Sequence, residues 1–166
     1  MPLNQHLYNT FELDFSSHAP ELSGIDTVDM IFSANPGLTP APLRLIASSG
    51  EIARVMLALK AVLADADAVP VLIFDEIDAN IGGETASKVG DEIVALAGNK
   101  QILCISHLPQ IASRAMTHFN VSKETVENTT FTHIRKLDSK GRSNEIARML
   151  GGGKDALTLA EKMLKE

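Results

Sequence analysis

A chain of 166 residues, 45% of them hydrophobic, is long enough to bury a sizeable core as one domain. No apolar run is long enough to cross a bilayer and no signal peptide is present, which excludes a membrane-spanning protein and makes a soluble cytoplasmic lobe the expectation. With 21 acidic against 15 basic residues the net charge is −6, no Lys/Arg cluster marks a phosphate-binding stripe, and the single Cys104 excludes a disulfide framework.

In chain order, strands are expected near 10 to 16 and 26 to 33, followed by a Pro- and Gly-rich loop from 34 to 46. A helix then runs to about 65, with apolar residues at 52, 55, 56, 59, 62 and 63; Ser48 suits its N-cap and Glu51 completes a capping box. Small residues at 48 to 50 allow close backbone approach to an anion, which free N–H groups and the helix dipole favour, although a capping box is also an ordinary way to start a helix. A strand at 71 to 76, a crossover helix at 84 to 97, a strand at 101 to 106 and a helix at 109 to 115 follow. Strands near 118 to 123 and 129 to 137 form a hairpin around Glu124 to Asn128, and helices at about 143 to 150 and 155 to 165 close the chain. The alternation predicts an α/β fold with a mixed, largely parallel sheet flanked by helices, in one domain spanning 1–166.

The chemistry concentrates at two strand ends. Val71-Leu72-Ile73-Phe74 runs into Asp75-Glu76, and the uninterrupted apolar run reads as a strand buried on both faces. Adjacent carboxylates at the carboxyl end of such a strand repel one another unless a metal or a proton is present, so they imply a metal, a perturbed pKa, or both; the alternative is a solvated strand end. Gln101 to His107 is a second apolar strand, ending in Ser106-His107 before Leu108-Pro109, which sets His107 at the carboxyl end of a strand beside the first.

Taken in this order, Ser48-Ser49-Gly50-Glu51, Leu72 to Glu76, Asp78 to Gly83 and His107 resemble the signature motif, Walker B motif, D-loop and H-loop of ABC-type ATPases. The stretches 47–60, 72–78 and 104–112, with Asn35-Pro36-Gly37 and Glu145 to Gly152, are similar to the RecN family of bacterial DNA repair proteins, SMC-like ATPases; the likeness spans most of the chain. The usual signature has two glycines after its serine, where this chain has Ser49 and Gly50, and the D-loop of transporters and SMC proteins usually ends in Asp, where this chain has Gly82. No G-x-x-x-x-G-K-[ST] string occurs: Gly151-Gly152-Gly153-Lys154 fails it, with Arg148 and Asp155 at its ends, and reads as the loop between two helices.

The resemblance implies the C-terminal half of an ATP-hydrolysing head, whose Walker A half lies elsewhere in the protein beyond a long coiled-coil arm. It implies ATP and Mg²⁺ as cofactors, Asp75 as the metal residue acting through water, Glu76 as the base that deprotonates the attacking water, and His107 as a contact to the γ-phosphate. Ser48, Ser49, Gly50, Glu51 and Asp78 would bind the nucleotide, the signature residues acting on ATP held by the opposite head. The implied partners are the Walker A half, a second head, and DNA through the full-length protein in double-strand break repair and recombination, with a cytoplasmic, nucleoid-associated location and no membrane. The isolated chain is expected to be inactive. Two other readings are a non-catalytic interaction module and the nucleotide-binding part of an ABC transporter or SMC protein.

Overall fold

The computed structural model describes residues 11–33, 39–64, 66, 68–127 and 129–165. Asn35-Pro36-Gly37, with the rest of 34–38 at the start of the expected Pro/Gly loop, falls outside these residues. The chain divides into two compact units, Met1–Ser48 and Ser49–Glu166.

In the first unit, strand β1 (Phe11–Glu21) pairs antiparallel with β2 (Gly24–Phe32), and β2 pairs with the two-residue β3 (Ala41–Pro42), which leads into helix α1 (Leu43–Ile46). Cross-strand pairs Phe11↔Phe32, Leu13↔Met30 and Phe15↔Val28 follow from the period-2 alternation and put the apolar residues on one face of the hairpin. On the opposite face, Arg44 donates from Nε and Nη2 to the two carboxylate oxygens of Asp29 at 3.0 and 3.1 Å, tying α1 to β2. That guanidinium holds the Asp29 carboxyl below the usual carboxylate range.

The second unit runs α2 (Ser49–Val62), β4 (Val71–Phe74), α3 (Gly83–Ala97), β5 (Gln101–Cys104), α4 (Pro109–Ala112), β6 (Phe119–Val126), β7 (Thr129–Lys136), α5 (Ser139–Met149) and α6 (Lys154–Met163). Strands β4 and β5 are parallel, Leu72 opposite Ile102 and Phe74 opposite Cys104, because α3 carries the chain back to the start of the sheet between them. Leu72 and Phe74 pack with Leu57 of α2, Val89, Ile93 and Leu96 of α3, and Ile111 of α4 to form the main core; α5 and α6 close a smaller one around Ile146, Ala147 and Ala160.

The expectation of a largely parallel sheet does not hold among the described residues. The strands form a three-stranded antiparallel sheet, the parallel pair β4–β5, and the antiparallel hairpin β6–β7. Both hairpins close through short turns, which can join only antiparallel strands; Glu127 enters the second turn at φ 47.

Nor is β4 buried on both faces. Leu72 and Phe74 are buried, whereas Val71 and Ile73 are exposed, as are Leu103 and Ile105 beside them; Ile73 is 68% and Ile105 61% exposed. The helix after Ser48 divides its apolar residues in the same way. Leu57 turns into the core, while Ile52 and Met56 line an open groove of about 420 Å³ with Ile73 and Asp75. Helix α5 begins at Ser139, before the expected 143, because Asp138 caps it with its Oδ1 accepting from Gly141 N at 2.7 Å. The Gly151–Gly153 loop separates α5 from α6 as expected, all three residues at positive φ, with Gly152 N donating to Ala147 O at 2.8 Å.

Candidate functional site

Strand β4 delivers Asp75 and Glu76 to its carboxyl end, and both are exposed. Glu76 sits at φ 57, in the left-handed region that side-chain-bearing residues rarely occupy; this turns the chain sharply out of the strand. Ala79 N donates to Glu76 O at 3.0 Å and closes a tight turn over 76–79. The two residues after Glu76 face inward, Ile77 into the core and Asp78 into a polar niche.

Asp78 is 2% exposed, and its Oδ2 is the meeting point of the loop with the end of β5. It accepts from Ser106 Oγ and from His107 N, both at 2.7 Å, and His107 Nδ1 lies 3.0 Å away. Burial of a carboxylate is costly unless donors surround it, and these supply that compensation. The His107 ring is 71% exposed, so its inner edge is held by Asp78 while its outer edge stands in the open beside the strand ends. The carboxyl ends of the parallel strands thus bring Asp75, Glu76, Asp78 and His107 into one region.

The first turn of α2 lies against the same loop. Ser49 Oγ donates to Glu76 Oε2 at 2.6 Å, and Arg54 Nη1 donates to Ile77 O at 3.1 Å and Ala79 O at 3.0 Å. Gly50 is buried in this contact: a Cβ there would stand 2.8 Å from Ala79 Cβ and 3.0 Å from Glu76 O. Glu51 is half-buried on the same turn. Ser48 is the last residue of the first unit.

Gly50 is therefore needed for packing within this chain, and a substitution there cannot leave the fold untouched, as an anion-approach role alone would allow. Gly50→Ala is expected to cost about 1–3 kcal/mol in a urea unfolding series, because a rigid backbone and Ala79 must both give way.

Cys104 ends β5 half-buried against the core, where burial first, then the charges of Asp78 and Asp75, push its thiol up to about 11. Alkylation by iodoacetamide at pH 8 should accordingly be at least about tenfold slower than in the urea-unfolded chain. Since the folded state holds this proton more tightly than the unfolded one, the thiol contributes stability at neutral pH that falls away as pH rises from the ordinary thiol value toward 11.

The described residues contain no cluster of three or more His, Cys, Asp or Glu side chains arranged to hold a metal ion. An exposed acidic pair nevertheless fits Mg²⁺, which keeps most of its waters and takes one or two carboxylates together with substrate phosphates. Sequence reasoning singled out Asp75, Glu76 and His107, which the strand ends place in one region, but it gave no role to Ser106 or Arg54, whose partners lie 28 and 23 to 25 residues away. Nor did it see the direct bond from Ser49 to Glu76.

No protein-family model matches the chain. It is 43% identical over 153 residues, 90% of its length, to the DNA repair protein RecN of Xylella fastidiosa strain Temecula1, covering 28% of that protein. It is 47% identical over 135 residues to the RecN of Treponema pallidum and 46% over 133 to that of Deinococcus radiodurans, covering 24% and 23% of them. The chain thus spans about a quarter of the length of these curated relatives. In fold it is similar to the Smc head domain of Pyrococcus yayanosii, with a TM-score of 0.58 at 19% identity over 93% of this chain and 26% of that one. An SMC ATPase studied for ATP-driven dimerization and DNA-stimulated activation gives 0.54 at 18%, over 87% of this chain and 83% of that one. The architecture is thus α/β, of the kind found in SMC ATPase heads.

Proposed function

From the premise that this chain is related over most of its length to the RecN DNA repair proteins, we propose that it is the C-terminal half of an SMC-like ATPase head acting in DNA double-strand break repair and recombination. The observation that carries the reading is the convergence at the ends of β4 and β5: two exposed carboxylates, and a histidine braced from below by a buried aspartate. In this reading the 166 residues act as one lobe, in the cytoplasm and on the nucleoid, and reach DNA through the full-length protein.

Each residue then has a task its position permits. Asp75 holds Mg²⁺ through water, and the ion supplies charge neutralisation at the phosphates. Glu76, exposed and directed out of the strand by its backbone, takes the proton of the attacking water. Asp78, facing inward, serves the nucleotide site indirectly by fixing His107, whose free edge donates toward the γ-phosphate. Ser48, Gly50 and Glu51 shape the signature turn presented to ATP on a second head, and Gly50 keeps that turn seated on 76–79.

The Walker A half supplies the phosphate-wrapping loop that this sequence lacks. It also provides the further strands of a mixed, largely parallel sheet, in which β4 and β5 are two members. The bare apolar face of Val71, Ile73, Leu103 and Ile105 is then covered by a layer of the completed head, since parallel strands are ordinarily covered on both sides.

Phosphate release from Mg-ATP tests the proposal. The chain alone should show no turnover and only weak nucleotide affinity, whereas its complex with a Walker A half should hydrolyse ATP and form ATP-dependent dimers. Micromolar binding with turnover by the chain alone would overturn the reading, as would an inactive complex.

A further inference from the structure

The bond from Ser49 to Glu76 is not something the usual signature can make, because a glycine stands there in place of Ser49 and has no hydroxyl to give. We propose that Ser49 is a positioning residue for Glu76, holding the carboxylate of the general base against the first turn of the signature helix within its own subunit. This rests on the ATPase reading above, since it assigns Ser49 a part in that reaction.

At 2.6 Å the contact is as short as hydroxyl-to-carboxylate bonds normally are, and a charged acceptor makes it about twice as strong as a neutral one. It engages Oε2 and leaves Oε1 for the proton of a water. A glutamate side chain has several rotatable bonds, and the backbone at φ 57 fixes only where it starts, so a second anchor near its end decides where the carboxylate rests.

The anchor itself is fixed. Gly50 packs against Ala79 and the Glu76 carbonyl, and Arg54 grips the carbonyls of Ile77 and Ala79, so the turn that carries Ser49 and the loop that carries Glu76 are bound to each other at both ends. The carboxylate consequently travels with the signature turn. Any shift of that turn as a second head closes on it is passed to the base through one hydroxyl.

The test uses the complex of this chain with a Walker A half, with glutamate carboxyls labelled with carbon-13 and the Glu76 resonance assigned by its loss in Glu76→Gln. Without nucleotide, Ser49→Ala and Ser49→Gly should move the Glu76 carboxyl resonance, while Ser49→Thr, which keeps the hydroxyl, should leave it near its original place. With Mg-ATP, the Ala and Gly variants should lose about tenfold in kcat, with KM within about twofold and ATP-dependent dimerisation retained, and Thr should restore most of the rate.

An unmoved resonance, an unchanged kcat, or a Thr variant no better than Ala would overturn the proposal. A wild-type complex without turnover would remove the ATPase reading and the positioning role with it, while the resonance would still report whether the bond exists. The two failures are thereby distinguishable.

Discussion

Glu76→Gln, in a head assembled from this chain and a Walker A half, is expected to lower ATP turnover by at least about 100-fold while ATP still binds and the ATP-bound dimers persist. The amide keeps the size of the side chain and can still accept from Ser49 through its carbonyl oxygen, so the local structure should hold. What it loses is basicity, and the loss falls on the proton transfer. Single-turnover phosphate release separates that step from binding, and light scattering follows the dimers. Turnover within tenfold of wild type would remove Glu76 from the role of base.

Asp78→Ala is expected to be the most damaging substitution for the fold of the site. It leaves the His107 N–H without its acceptor and the Ser106 hydroxyl with only a long 3.4 Å contact to Leu108 O, at the place of a side chain that is 2% exposed. Unpaired buried donors cost about 1–3 kcal/mol each, so a loss of about 2–5 kcal/mol is expected in a denaturant series on the nucleotide-free complex. Asp78→Asn retains one carbonyl oxygen at the same place and should cost less, about 1–2 kcal/mol. Both should slow turnover, because the inner edge of His107 loses its carboxylate. An Ala variant as stable as wild type would show that the niche is not held together by Asp78.

Features written in short runs of residues were legible in the sequence. The strands Val71–Phe74 and Gln101–Cys104 begin where expected and end two residues sooner, with Asp75-Glu76 and Ser106-His107 just beyond them, and the triple-glycine loop lies where expected; all carry local signals. Features that depend on register were not. Asp78 meets Ser106 and His107 only because β4 and β5 align Phe74 with Cys104, and nothing in either segment alone states that alignment.

The error over β4 has a similar cause: an apolar run reports that both faces are meant to be covered, but not that the cover comes from within these residues. The Pro/Gly segment concealed β3 and α1 because a two-residue strand and a single helical turn have no periodicity to detect. Asp138 was passed over as a cap, although Asp is among the best N-cap residues and its position would have moved the start of α5 to the observed place.

The bare face of β4 and β5 bears on how such a chain survives its own synthesis. Val71-Leu72-Ile73-Phe74 and Ile102-Leu103-Cys104-Ile105 are short, uncharged, strand-forming segments of the kind that stack between molecules when exposed. Each is bounded by charge or polarity: Asp75 and Glu76 follow the first, and Lys100 and Gln101 precede the second. Two carboxylates at the mouth of a sticky strand are gatekeepers as well as reagents. Variants that neutralise both acids to abolish chemistry therefore also remove a guard against aggregation, and poor yield of such a double variant is to be expected on colloidal grounds alone.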